Sequence, residues 1–255
     1  MKAAWLIAHN TYREATRDRV LLGLTVAGVV AMLATQVLDP LALGQGDRLT
    51  VDLGLSIISV LGLVAVLMVG TSLVAKEIER RTIFNLLARP LPRPWYLVGK
   101  WAGLTATLWS VAGLLGAALC GLLAAKGLAS HAVAVMQAVY LAGLELSVVT
   151  ALAVMCSALS TPVPSALYTL GFYCVGQWSY DLRQFAHDAP GALGPMLRVV
   201  ADVVPNLPVF NMRSLAAVGA TTSFAHLALA SVYAVFYIGC VLALAAAAFE
   251  SRDFK

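Results

Sequence analysis

Charge is what this 255-residue chain has least of. Only 12% of its residues are Asp, Glu, Lys or Arg, about half the ~25% of an ordinary soluble domain. Sixty per cent are hydrophobic, so the chain reads as an integral membrane protein. Strict apolar–polar alternation is missing, which excludes a membrane barrel and leaves helices as the spanning element. Cysteine is sparse: Cys120, Cys156, Cys174 and Cys240 all fall in apolar runs without metal-ligand spacing. They read as packing residues rather than a disulfide set. The four histidines (His9, His131, His187, His226) have no partner three or four residues away, so no metal or haem site is indicated. A phosphate-binding loop is absent too: Gly99-Lys100 is followed by Trp101 and lacks the earlier glycine. The first 19 residues are polar and carry Lys2, Arg13, Arg17 and Arg19, the opposite of a signal peptide. Neither end shows a lipidation pattern.

What is present is a set of apolar runs. A spanning helix needs about 20 mostly apolar residues, and six candidates appear at 20–38, 51–75, 101–125, 132–157, 164–180 and 224–249. The expected fold class is therefore all-α, a polytopic membrane protein with six transmembrane helices and one permease-sized domain over 1–255. Twelve Lys or Arg lie on the side of the two termini and the 76–100 segment, against five on the other (Arg48, Lys126, Arg183, Arg198, Arg213). The positive-inside rule puts the first set in the cytoplasm. The net charge of +4 is explained by this topology, so no nucleic-acid partner is called for.

Two amphipathic helices complete the pattern. Trp5, Ala8, Tyr12 and Ala15 share a face within residues 1–19, which suits a helix at the membrane interface against lipid. In the outer segment 181–223, Leu193, Met196, Leu197, Val200, Val203 and Val204 repeat at helical spacing, with Arg198 and Asp202 on the other side. Pro205 and Pro208 end that run, a short companion is expected over 212–218, and 250–255 forms a cytoplasmic tail.

The segment between the second and third spans is the most informative. Lys76, Glu77, Glu79, Arg80 and Arg81 are followed by Thr82, Ile83, Phe84, Leu86 and Leu87, then Arg89, Pro90, Pro92 and Arg93. Residues 81–87 can form a short helix with Ile83, Phe84, Leu86 and Leu87 on one side, stopped by the prolines. Glu77 and Glu79 do nothing for positive-inside topology, and Phe84 and Leu87 have no reason to face water. Such a helix suits insertion into a groove of a partner protein.

These residues resemble the first cytoplasmic loop of ABC-2 type permeases. The family's E-x-G-T start corresponds to Glu79-Arg80-Arg81-Thr82, its P-x-S-R to Pro90-Leu91-Pro92-Arg93, and its closing G-K to Gly99-Lys100. Arg81 replaces the usual glycine and Pro92 the usual serine. The string 204–210 (V-P-N-L-P-V-F) and the tail 249–254 (F-E-S-R-D-F) add to the likeness. The resemblance implies a permease subunit of an ATP-driven exporter in the bacterial inner membrane, paired with a second copy as a homo- or heterodimer. It implies an ABC ATPase subunit docked through Glu77, Glu79, Arg80, Arg81, Thr82, Ile83, Phe84, Leu87, Arg89 and Arg93. ATP and magnesium would then sit on that partner, with no cofactor in this chain, and a periplasmic partner could join.

Glu145 stands alone in the fourth span, with Gly143, Ser147 and Thr150 nearby. A carboxylate at bilayer depth costs about 3 kcal/mol even on insertion scales. Two readings stay open: a pathway or gating residue, or a hydrogen-bonded staple between helices, with Ser147 and Thr150 as expected contacts. A membrane-embedded enzyme would need a second catalytic group beside Glu145. An ion-coupled transporter or channel would favour matched halves with broken helices, and the sequence shows no internal repeat.

Overall fold

The computed structural model describes residues 2–38, 44–71, 93–188 and 193–250. The docking residues 77–92 and the tail 251–255 lie outside the described residues, and of Arg93 only the backbone is described. Among the described residues the elements are helical, with no strand.

Helix α1 spans Lys2–Thr16, α2 Arg19–Leu38 and α3 Gly46–Ala65, which runs on into a π-helical turn at Val66–Gly70. Helix α4 covers Arg93–Ala125, α5 Ala132–Leu159, α6 Pro162–Gln177 and α7 Ser179–Asp188. The last three are α8 at Leu193–Val203, α9 at Arg213–Ala217 and α10 at Phe224–Glu250. Five stretches are long and apolar enough to cross a membrane: 19–37, 46–70, 94–125, 129–159 and 224–248. The chain is thus a multi-pass helical membrane protein.

Side-chain contacts order the bundle. Lys126 Nζ donates to Thr50 Oγ1 at 2.9 Å, so the end of α4 meets the start of α3. Ser157 Oγ donates to the Thr71 carbonyl at 2.8 Å, so α3 and α5 run parallel and end together. Tyr140 is hydrogen-bonded to Ser231 at 2.7 Å and Gln137 accepts from the Thr222 amide at 2.9 Å, which sets α10 parallel to α5. The ends at 71, 93, 159 and 250 therefore lie at one end of the bundle, and those at 46, 125, 132 and 224 at the other.

Helix α5 is the hub. Its buried residues include Ala138, Ala142, Gly143, Ala151 and Ala153, small side chains that let helices approach without a hydrophobic drive between them. Gly143 admits the Trp109 ring, since a Cβ there would lie 2.9 Å from it.

Helix α1 packs lengthwise on the first half of α4. Tyr12 Oη and Ser110 Oγ are 3.3 Å apart, and a Cβ at Gly103 would meet the Ala8 carbonyl oxygen at 2.5 Å. Trp5 and Leu6 are exposed, while Ala15, expected on the same face as Trp5, is buried. The Gly99-Lys100 pair acquires a structural role here. A Cβ at Gly99 would clash with the Ala4 carbonyl oxygen at 2.9 Å, and Lys100, counted by sequence among loop cations, is buried in α4 with its ammonium 5.9 Å from the Tyr96 ring centroid.

The fifth bundle position differs most from expectation. The expected span 164–180 begins as foreseen, after an extended turn at Ser160 and Thr161 with Pro162 opening the helix. Yet α6 has only 16 residues, about 24 Å against a hydrocarbon core of ~30 Å. Beyond it α7 carries Asp181, Arg183, His187 and Asp188. A different part of the chain completes the position. Helix α8 and the stretch 207–217 form a pair bent by 44°, and a Cβ at Gly176 would touch Leu207 at 2.9 Å and the Pro205 carbonyl oxygen at 3.0 Å. The reason is composition: the apolar run after Pro164 is too short to cross alone, and prolines at 205 and 208 break the following helix inside the bundle.

Candidate functional site

Glu145 lies halfway along α5 and is 4% exposed. Ser147 and Thr150, its expected contacts, turn elsewhere. Ser147 Oγ donates to the Gly143 carbonyl (2.6 Å) and Thr150 Oγ1 to the Leu146 carbonyl (2.6 Å). Their hydroxyls find acceptors one turn back on their own helix. Ser147 also serves α4: its carbonyl accepts from Trp101 Nε1 at 3.0 Å and its Oγ from Trp109 Nε1 at 2.9 Å.

The partner of Glu145 is Gln177, the last residue of α6, whose Nε2 donates to Glu145 Oε1 at 2.5 Å. The bond exists because α6 stops at the level of Glu145. Arg213, the first residue of α9, is within electrostatic reach of the same carboxylate, and so is Tyr173, one turn before Gln177. Arg213 Nη1 itself donates to Ser56 Oγ of α3 at 3.3 Å. Four helices, α3, α5, α6 and α9, thus bring polar groups together inside an apolar bundle.

The segment that delivers Arg213 is pinned where it bends. Tyr233 Oη accepts from the Asn206 amide at 2.7 Å, Ser179 Oγ donates to Asn206 Oδ1 at 3.0 Å, and Tyr237 Oη donates to the Val203 carbonyl at 3.1 Å. Leu207 and Phe210 are buried behind it. This gives the V-P-N-L-P string a physical meaning: prolines break the helix, Asn206 ties the break, and Leu207 seats on Gly176.

Residues 5–187 match the family model described as ABC-2 family transporter protein. The chain belongs to that family. No curated protein matches it. As a member of the ABC-2 family the chain is a permease, a transport subunit rather than an enzyme, and the family generally works with an ABC ATPase subunit. The matched region holds Glu145 and Gln177 but ends before Arg213.

Sequence reasoning singled out Glu145 and missed Ser56, Gln177 and Arg213. Gln177 had a usable signal, a lone amide inside the candidate span 164–180. Arg213 had none, because in sequence it is one more cation of an outer loop. Among the described residues no group of His, Cys, Asp and Glu is placed to hold a metal ion. The cysteines are free; only Cys156 is buried, while Cys174 and Cys240 face outward and do not pack as expected.

Proposed function

We propose that this ABC-2 permease is the membrane subunit of an ATP-driven exporter in a bacterial inner membrane, with both termini and the 72–92 segment in the cytoplasm. A separate ABC ATPase subunit docks on residues 77–93, and ATP and magnesium belong to that partner. A second permease copy completes the path for substrate. ATP binding closes the ATPase pair, the loop helix carries that motion to α3 and α4, and the path opens through differential docking in two states.

The observation that carries this reading is the place of the segment. It joins the end of α3 to the start of α4, at the bundle end shared with the α5–α6 turn. A push there acts directly on the two helices that flank the hub. The excess of Lys and Arg in the segments of that end supports its cytoplasmic orientation.

Burying Phe84 in a partner groove should stabilise the complex by roughly 2 kcal/mol. Phe84→Ala with Arg81→Glu is expected to release the ATPase subunit on purification while the permease stays inserted. Unchanged co-purification would sink the docking assignment. Orientation is checked separately: a cysteine at 198 or 202 should react with an impermeant thiol reagent from outside the cell, and one at 197 or 200 poorly.

A further inference from the structure

Helix α4 is longer than a membrane needs. Its 33 residues extend about 50 Å, against a hydrocarbon core of ~30 Å. Its last turn is held level with the start of α3 by Lys126 and Thr50, so the surplus projects at the docking end. There Gly70, at the end of α3, is level with Leu104, since a Cβ on it would lie 4.0 Å from that side chain. Residues 93–103 of α4 run past that level, and α1 packs along them at Gly99 and Gly103.

Charge marks the same boundary. Helices α1 and α4 advance together, from Ala4 beside Gly99 to Tyr12 beside Ser110. Arg13, Glu14 and Arg17, at the far end of α1, are exposed. Exposed charges belong at the head groups or beyond, not in hydrocarbon. Trp5 lies eight residues before Arg13, about 12 Å further from the membrane. Yet Trp5 is 73% exposed and Leu6 67%. Large apolar side chains at that height have no lipid tails to face.

The two helices leave a groove of about 680 Å³ whose lining includes Ala4, Trp5, Ala8, Trp95, Val98 and Ala102. Its shape follows from residue size. Gly99 and Gly103 bring the two backbones together, the alanines fill little of the space above, and the two tryptophans supply the contact area. Two observations name what covers it. The docking segment 77–93 runs directly into α4, whose first turn carries Trp95, so segment and groove adjoin. Both helices also begin at this end, with Lys2 and Arg93 as their first residues. Cationic residues at two positive helix ends favour an acidic group on the partner.

We propose that this groove is a second docking site for the ATPase subunit. It takes an amphipathic helix of that subunit, with large apolar side chains against Trp5 and Trp95 and an acidic residue toward the two helix starts. Tryptophans of this kind are common anchors of protein interfaces. The inference rests on the docking reading above and deepens it. An ATPase subunit held at both places moves α3 and α4 through the loop, and α2 through α1.

The test uses the full chain in native membranes, co-expressed with its ATPase subunit. Trp5→Ala with Trp95→Ala is expected to weaken binding of that subunit about tenfold, as loss of an interface anchor does, while the permease stays inserted. Trp178→Ala, which removes a tryptophan 66% exposed at the other end of α6, should leave binding unchanged. Equal losses in both would overturn the proposal. A photoreactive benzoylphenylalanine in place of Trp5 supplies a second measurement, because it leaves the groove otherwise intact. Its adduct, identified by mass spectrometry, should carry the ATPase subunit. An adduct with phospholipid alone, or with a second permease copy alone, would refute the assignment. Full binding in the tryptophan variant, beside loss in Phe84→Ala with Arg81→Glu, would refute the groove and leave the docking loop standing. A parent chain that binds no ATPase subunit would refute both.

Discussion

Helices α2 and α5 are both apolar over a full membrane thickness, yet 83% of the residues in the apolar stretch of α5 are buried, against 22% in that of α2. Hydrophobicity therefore says where the membrane is and not where the core is. In lipid, a leucine gains little by leaving tails for another helix, so close approach and polar ties decide which helix becomes central. Helix α5 has alanines, Gly143 and Ser147 on contacting faces. Helix α2 shows Leu22, Val26, Val30, Leu33 and Val37 to the outside, and makes its close approach at Gly28, where a Cβ would lie 2.8 Å from Leu61.

Glycine substitutions should break this contrast most sharply. Gly143→Leu drives a side chain into Trp109 and is expected to cost about 3 kcal/mol, the upper range for overpacking. The equivalent Gly23→Leu in α2 meets nothing within 4 Å and should leave thermal stability in detergent unchanged. Equal losses at both positions would remove the distinction between hub and periphery.

A smaller effect is expected at Glu145. Glu145→Leu leaves Gln177 without its acceptor and should cost about 2 kcal/mol, the scale of an unsatisfied buried group. Glu145→Gln keeps a hydrogen bond and should cost less than half of that in the same melting assay. Indistinguishable melting of the two variants would mean that the Gln177 bond contributes nothing to packing.

The smallest contrast concerns hydroxyls. Ser147→Ala removes the acceptor of Trp109 Nε1 and should destabilise by about 1 kcal/mol. Thr25→Ala in α2 removes only a bond to the Leu21 carbonyl of its own helix and should be neutral. A quench or shift of tryptophan fluorescence in Ser147→Ala alone would locate the effect at α4.

Most of the scaffold was legible beforehand because bilayer thickness imposes run length: α2, α5 and α10 fall where apolar runs predicted them, whereas α3 starts at Gly46 rather than 51 and α4 at Arg93 rather than 101. The turn at Pro162 and the amphipathic α8 were legible from proline placement and periodicity. On α8, however, Gly194 and Ala201 face the protein while Leu193, Met196, Val199 and Val203 are exposed, since the small residues allow the closer approach. Glu145 was legible as an anomaly, but its contacts were not. Local spacing suggested Ser147 and Thr150, whereas hydroxyls inside a helix satisfy themselves on the preceding turn and leave the carboxylate to look across the bundle.

By itself, then, the sequence determined an all-helical membrane protein, the uneven distribution of Lys and Arg between its loops, and the charged segment at 77–93. These follow from run length, charge counts and motif spacing, which are local properties. Only the tertiary structure decided that α5 is the hub, that the fifth position is assembled from α6 and the returning stretch 207–217, that Gln177 reaches Glu145, and that Arg213 reaches Ser56. Those facts join residues up to 157 positions apart, as Arg213 and Ser56 are. Such distances are closed by helix packing and by the need to satisfy buried polar groups, and neither leaves a mark on the residues adjacent in the chain.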